Sequence, residues 1–409
     1  MGMEQLFATR MERVRASEIR ELLKLLDQPD ILSFAGGIPD PALFPAADFD
    51  AAYSGVLRST AAGSALQYSV SEGYLPLRQW LAQHMASIGI ACTAENILIT
   101  SGSQQALDYL GKLFLSPGDT ALVGWPTYLG ALQAFNAYEP NYDRLDVMAN
   151  RDPAAIAVTA SEKGGKVKFA YLSADFANPT GETLGEAGRN RLLDLAEALD
   201  IAVIEDGAYQ ALRYGGEPVP PILSLDLARH GGDIERTRTI YCGSFSKTLS
   251  PGLRVGWVVA ASNVIRKMVL MKQAADLHSA TINQMAILEV ARGGFDAQVA
   301  KVRKAYGARR DAMLDALAEF MPAGVSWTQP AGGMFVWVTL PPGMDGARLL
   351  AKSLESERVA FVPGQAFLQM EDGANMIRLS FSCADAAKIN EGMKRLGEVG
   401  QQRSLSFAA

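Results

Sequence analysis

The chain has 409 residues, of which 49% are hydrophobic and 20% charged, the balance of a soluble globular protein at a length that favours more than one substructure. Its 38 basic and 44 acidic residues give a net charge of -6 with no block of like charge, which argues against a nucleic-acid partner. No apolar run is long enough to span a membrane, no signal-peptide core is present, and the scattered Cys92, Cys242, Cys383, His84, His230 and His278 have neither disulfide nor metal-ligand spacing, so a cytoplasmic protein without a metal is expected.

Residues 1–30 read as an N-terminal arm. The stretch 8–26 is arginine-rich but holds Glu12, Glu18 and Glu21, which organelle transit peptides avoid, so an amphipathic arm is expected there. From Glu95 to Val259 short apolar runs alternate with helical patterns, as strand-helix units of a parallel sheet do. The expected strands are 97–100, 121–123, 168–172, 202–204, 239–242 and 256–259, with helices at 104–115 and 187–199 among those that follow them. Ser116-Pro117-Gly118-Asp119, Gly164-Gly165 and Asn178-Pro179-Thr180-Gly181 break the units apart. After Ile282 a long helical stretch runs to about Phe320, followed by a strand-like run at 332–340. The expectation is an α/β fold with a mainly parallel central sheet flanked by helices in a large domain, 31–294, and a smaller α+β domain, 295–409.

The run with most chemistry is Ser244-Phe245-Ser246-Lys247-Thr248-Leu249-Ser250-Pro251-Gly252-Leu253-Arg254-Val255-Gly256, directly after an expected strand. Ligands of open α/β sheets gather outside the carboxyl ends of strands. A lysine attacks a carbonyl only when neutral, and burial near a second cation such as Arg254 favours that form. Ser244, Ser246 and Arg254 offer the donors a phosphate dianion needs, and Gly252 and Gly256 allow close backbone approach. A surface loop with a Pro-Gly turn is the plain alternative for a lone lysine.

The pattern Ser-x-Ser-Lys-x-x-x-Pro-Gly-x-Arg-x-Gly resembles the lysine motif of fold-type I, class I/II aminotransferases that depend on pyridoxal 5′-phosphate. The resemblance runs over nearly the whole chain and is nearest to the branch of 2-aminoadipate and kynurenine aminotransferases. It implies that Lys247 carries the cofactor. Asp206, at the end of an apolar run, would face the pyridine nitrogen, and Tyr209 and Asn178 would bind the cofactor's phenolic oxygen. Gly102, Ser103 and Gln104 would contact the phosphate at a helix start, and Tyr128 would stack on the ring. Relatives often have Gln before the matching asparagine, where this chain has Ala177. Each residue has a plainer reading too: a helix cap for Asp206 or Ser103, a turn at Asn178-Pro179, a core position for Tyr128.

Arg378, in a strand-like run, would hold the substrate's α-carboxylate, with an interdomain salt bridge as its alternative. Tyr68 matches the tyrosine that reaches a neighbouring subunit's phosphate, which implies a homodimer, although a surface turn explains the same letters. Gly36 and Gly37 match the glycine loop beside the substrate, and Arg20 could pair with a distal carboxylate or stand as a solvated helix charge. The implied function is ping-pong transfer of an amino group from 2-aminoadipate, glutamate, or an aromatic or branched donor to a 2-oxo acid such as 2-oxoglutarate. The alternatives are a lyase or decarboxylase using the same cofactor site, and a regulator with an aminotransferase-like sensor domain, for which the acidic charge and the short stretch before Ile31 are unsuited.

Overall fold

The structure, a computed structural model, describes residues 2–14, 30–149, 151–368 and 373–404. Its first strand, β1 (Leu32–Ser33), does not join the large sheet but pairs in parallel with Val359–Ala360, near the other end of the chain. The large sheet is built from β2 (Ile97–Thr100), β3 (Thr120–Val123), β4 (Asn141–Arg144), β5 (Val167–Leu172), β6 (Ala202–Asp206), β7 (Thr239–Ser244) and β8 (Gly256–Val259). These seven strands lie in the order β2-β8-β7-β6-β5-β3-β4. All neighbours run parallel except β8, which is antiparallel to both β2 and β7.

Side-chain alternation explains why the strands read as continuous apolar runs. Ile97, Ile99, Tyr241, Trp257 and Val259 pack into one layer with Leu77 and Leu81 of the helix Leu75–Ser87. Leu98, Ile240, Cys242 and Val258 face the other way, against Leu107 and Leu110 of the helix Ser103–Phe114. A strand covered on both faces has no polar positions to alternate with. β4, with the sequence Asn-Tyr-Asp-Arg, is the strand that the apolar criterion does not find. It is an edge strand paired only with β3, and charge on an edge discourages further pairing.

The helix Thr281–Phe320 carries the chain away from this sheet and is interrupted at Gly294, whose backbone is extended (φ 174°). A second, four-stranded antiparallel sheet follows: β9 (Ser326–Trp327), β10 (Phe335–Thr339), β12 (Val362–Pro363) and β13 (Met376–Ser380), in the order β12-β13-β10-β9, with β11 being Val359–Ala360. Its core gathers Val336, Val338, Ile377 and Leu379 against Leu317, Leu396 and Val399, and takes in Phe34 from just after β1. No helix among the described residues is long and apolar enough to cross a membrane.

Candidate active site

Because β2, β5, β6 and β7 point the same way, their carboxyl ends open on one side of the sheet, and β8 starts there. A cavity of about 160 Å³ at this edge is lined by Ser103, Gln104, Tyr128, Ser173, Asn178, Asp206, Ala208, Tyr209, Ser244, Ser246, Lys247, Pro251 and Arg254. Residues from Ser103 to Arg254, carried on several separate strands and turns, therefore meet in one place. A larger cleft of about 650 Å³ elsewhere has only Asp48 and Glu289 as charged lining groups, so chemistry rather than volume marks the site.

At one end of the cavity the chain turns from β2 into the helix Ser103–Phe114. Gly102 takes a φ of 76°, and a Cβ there would collide with the Arg254 guanidinium. No side chain caps this helix, so its first N–H groups face outward with the positive end of the dipole. Ser244 Oγ donates to Ser246 Oγ at 2.8 Å and accepts from the Ser246 N–H at 3.1 Å. Arg254 sits at a φ of 55°, a conformation that costs a non-glycine residue about 1 kcal/mol or more and persists where its surroundings fix it. Its guanidinium donates to the carbonyls of Pro251 and Ser101, at 3.1 and 3.2 Å. The side-chain amide of Gln104 is committed to the Gly130 carbonyl at 2.6 Å, which leaves its backbone N–H for a ligand.

In the middle, Asp206 ends β6 as a buried carboxylate. Tyr171 on β5 donates to its Oδ2 at 2.9 Å, and the Ala208 N–H to its Oδ1 at 3.2 Å. Burial pushes the Asp206 carboxyl up, and the Tyr171 hydrogen bond opposes that shift. Lys247 reaches the same space from the turn after β7, its Nζ donating to the Gly37 carbonyl at 3.1 Å and lying 5.6 Å from the centre of the Tyr209 ring. Burial of the amine and the Arg378 charge lower its pKa to about 8, against the pull of Asp206. Burial likewise pushes the Tyr209 hydroxyl up.

At the far end, Arg378 on β13 is 2% exposed. Its Nη1 donates to Asn178 Oδ1 and its Nη2 to the Ala35 carbonyl, both at 2.8 Å. Nε has no partner. The rings of Phe335 and Phe367 lie 4.4 and 4.9 Å from the guanidinium carbon, and burial lowers its pKa to about 10. Among the described residues no carboxylate pairs with it. Asn178 thus joins this guanidinium to the cavity that holds Lys247.

Residues 44–396 match the family described as aminotransferase class I and II. The chain belongs to the class I and II aminotransferases. It is 45% identical to the aromatic-amino-acid aminotransferase 1 of Thermococcus litoralis, over 97% of this chain and 94% of that one. It is 44% identical to the 2-aminoadipate transaminase of Thermus thermophilus, over 94% of each. It also superposes with a TM-score of 0.87, at 40% identity over 99% of this chain and 100% of the other, on the crystal structure of the α-aminoadipate aminotransferase of Thermus thermophilus complexed with N-(5′-phosphopyridoxyl)-L-leucine. The fold is that of fold-type I aminotransferases, and the enzyme uses pyridoxal 5′-phosphate for transamination. The lyase and regulator alternatives are not favoured.

The side chains of this aminotransferase fit that cofactor. The uncapped helix start, the Gly102 cradle, the two serine hydroxyls and Arg254 make a donor set for a phosphate at one end. Asp206 offers a buried anion for a ring nitrogen, and Lys247 an amine able to lose its proton near neutral pH. Sequence reasoning missed Tyr171 and Ser173, which hold Asp206 from the neighbouring strand, Ser173 Oγ donating to the Asp206 carbonyl at 3.1 Å. The available signal was a tyrosine inside a buried strand, whose hydroxyl needs a partner. Tyr68 stands apart from the cavity, 78% exposed, with its ring edge-on to His278. Arg20 lies outside the described residues.

Proposed function

We propose that Lys247 bears the cofactor and handles the proton, that Asp206 and Tyr209 tune the ring, and that Arg378 with Asn178 receives the α-carboxylate of the amino acid. The observation carrying this reading is the Arg378 guanidinium, buried, hydrogen-bonded only to neutral acceptors, with Nε open and no described carboxylate beside it. An uncompensated buried charge costs several kcal/mol, and a bidentate anion relieves that cost.

When bound, the cofactor supplies a sink for the electron pair left at Cα. The chain's own groups do the rest. Lys247, once its amine is free and neutral, would take the proton from Cα and deliver it to the carbon on the other side of the substrate nitrogen. Asp206 holds a proton on the ring nitrogen through its negative charge, and Tyr171 keeps that carboxylate oriented. Arg378, packed against the rings of Phe335 and Phe367, orients Cα by its carboxylate. Gly102, Ser103, the Gln104 N–H, Ser244, Ser246 and Arg254 hold the phosphate, and Tyr128 covers the ring.

The proposed donors are 2-aminoadipate, glutamate, and aromatic or branched amino acids, with 2-oxoglutarate as acceptor. Support comes from the names of the similar proteins and from the phenyl rings of Phe335 and Phe367 beside Arg378. The proposed enzyme is a cytoplasmic homodimer in which the exposed Tyr68 reaches the neighbouring phosphate, with the large domain 31–294 and small domain 295–409 as its working division. A panel of donors against 2-oxoglutarate tests the substrate class. Arg20→Ala should lower kcat/KM for glutamate and 2-aminoadipate at least about tenfold while leucine and phenylalanine change little. Equal losses for all donors would remove the distal-carboxylate role.

A further inference from the structure

The glycine loop between β1 and the rest of the chain is tied down at every step. Its Ala35 carbonyl accepts from Arg378 Nη2 at 2.8 Å, and its Gly37 carbonyl from Lys247 Nζ at 3.1 Å. The Ile38 carbonyl accepts from Ser382 Oγ at 2.7 Å. At the loop's far end Asp40 forms an ion pair with Arg309, and the Asp40 N–H donates to the Tyr306 hydroxyl at 2.9 Å. Arg309 also donates to the Ser382 carbonyl, so a single guanidinium clasps both the loop and the segment that follows β13.

Gly37 touches the reacting centre directly. A Cβ on it would stand 3.0 Å from the Phe335 ring and 3.9 Å from Arg378 Nη2, so its peptide spans the space between Arg378 and Lys247. With its nitrogen bonded to the cofactor, Lys247 would keep at most one N–H, so its hydrogen bond to Gly37 would no longer be a secure tie. The ties at Ala35 and Ile38, and the Asp40–Arg309 pair at the loop's far end, then keep the Gly37 peptide in place.

We propose that Asp40 and Arg309 are positioning residues, which hold the Gly37 peptide against the bound amino acid and thereby set the affinity for amino acid rather than for cofactor. This rests on Arg378 receiving the α-carboxylate. A displacement of about 1 Å at a reacting centre is enough to cost orders of magnitude. Neither member of the pair lines the cavity. A purely structural staple would instead weaken the fold and cofactor retention together.

The test uses Asp40→Asn, Arg309→Met and Arg309→Lys in the full-length enzyme. It reads the amino-acid concentration that half-saturates the first half-reaction, the cofactor dissociation constant by equilibrium dialysis, and the melting temperature. Asp40→Asn and Arg309→Met should raise the half-saturating concentration at least about tenfold with the cofactor constant within about twofold of wild type. Arg309→Lys, which keeps a cation for Asp40 but cannot fork to the Ser382 carbonyl, should fall between. Asp40→Asn is nearly isosteric and carries the test alone if Arg309→Met does not fold. Unchanged half-saturation in folded Asp40→Asn, or a cofactor constant that rises by the same factor, would overturn the proposal. Arg378→Lys separates the two levels: if it too leaves half-saturation unchanged, the carboxylate reading fails first; if it alone raises the value, the positioning role of Asp40 and Arg309 fails.

Discussion

To take up the cofactor as proposed, Lys247 must be neutral, and its burial together with the charges around it sets the pH at which that form appears. Burial and Arg378 lower Lys247 to about 8, and Asp206 works the other way. A cation whose pKa is lowered is neutral above that value, so the capture of cofactor by the apoenzyme should rise with pH and level off above about 8. Removing the neighbouring charge should move that midpoint: Arg378→Met should shift it to higher pH, and a midpoint unmoved by this change would show that the Arg378 charge does not contribute. The same variant should lower kcat/KM for every amino donor by roughly 30-fold or more, from the roughly 2–5 kcal/mol lost when one partner of a buried charge pair is truncated. Legibility at this scale followed the runs. Lys247, Ser244, Ser246, Arg254, Asp206, Tyr209 and Asn178 lie in short motifs that chemistry explains, and they meet in one cavity. Tyr171 has no such motif, because its partner Asp206 is one strand away and cross-strand neighbours are not written in either strand's local sequence.

Strands covered on both faces were readable because their central positions are consecutively apolar, and 97–100 and 256–259 coincide with β2 and β8. The direction of β8 was not readable. Its letters are those of a parallel strand, and only the short connection from β7 through the lysine turn allows it to double back antiparallel. β4 escaped because an edge strand needs no apolar alternation. Two variants test how elements position the site. Tyr171→Phe removes from β5 the donor that opposes the upward shift of Asp206, so the carboxyl should protonate at higher pH. The acidic limb of the kcat profile should move up while cofactor retention is kept; an unchanged limb would detach Tyr171 from the pyridine partner. Gly102→Ala should weaken cofactor binding at least about tenfold, since the added Cβ meets the Arg254 guanidinium and the residue must keep a positive φ. Equilibrium dialysis with pyridoxal phosphate reads this directly, and wild-type affinity would remove the cradle from the phosphate site.

At the scale of the whole molecule, the site is a seam between the mainly parallel sheet, which supplies Asp206 and the turn bearing Lys247, and the antiparallel sheet, which supplies Arg378. The pairing of β1 with β11 brings the glycine loop across that seam, a contact between distant parts of the chain that no local pattern announces. All of the chemistry depends on Lys247 being the residue that takes the cofactor. Borohydride reduction of the holoenzyme, proteolysis and mass spectrometry test this most directly. The account predicts a phosphopyridoxyl adduct on the peptide containing Lys247, with neither adduct nor amino transfer in Lys247→Ala. An adduct on another lysine, or near-wild-type amino transfer by Lys247→Ala, would contradict it.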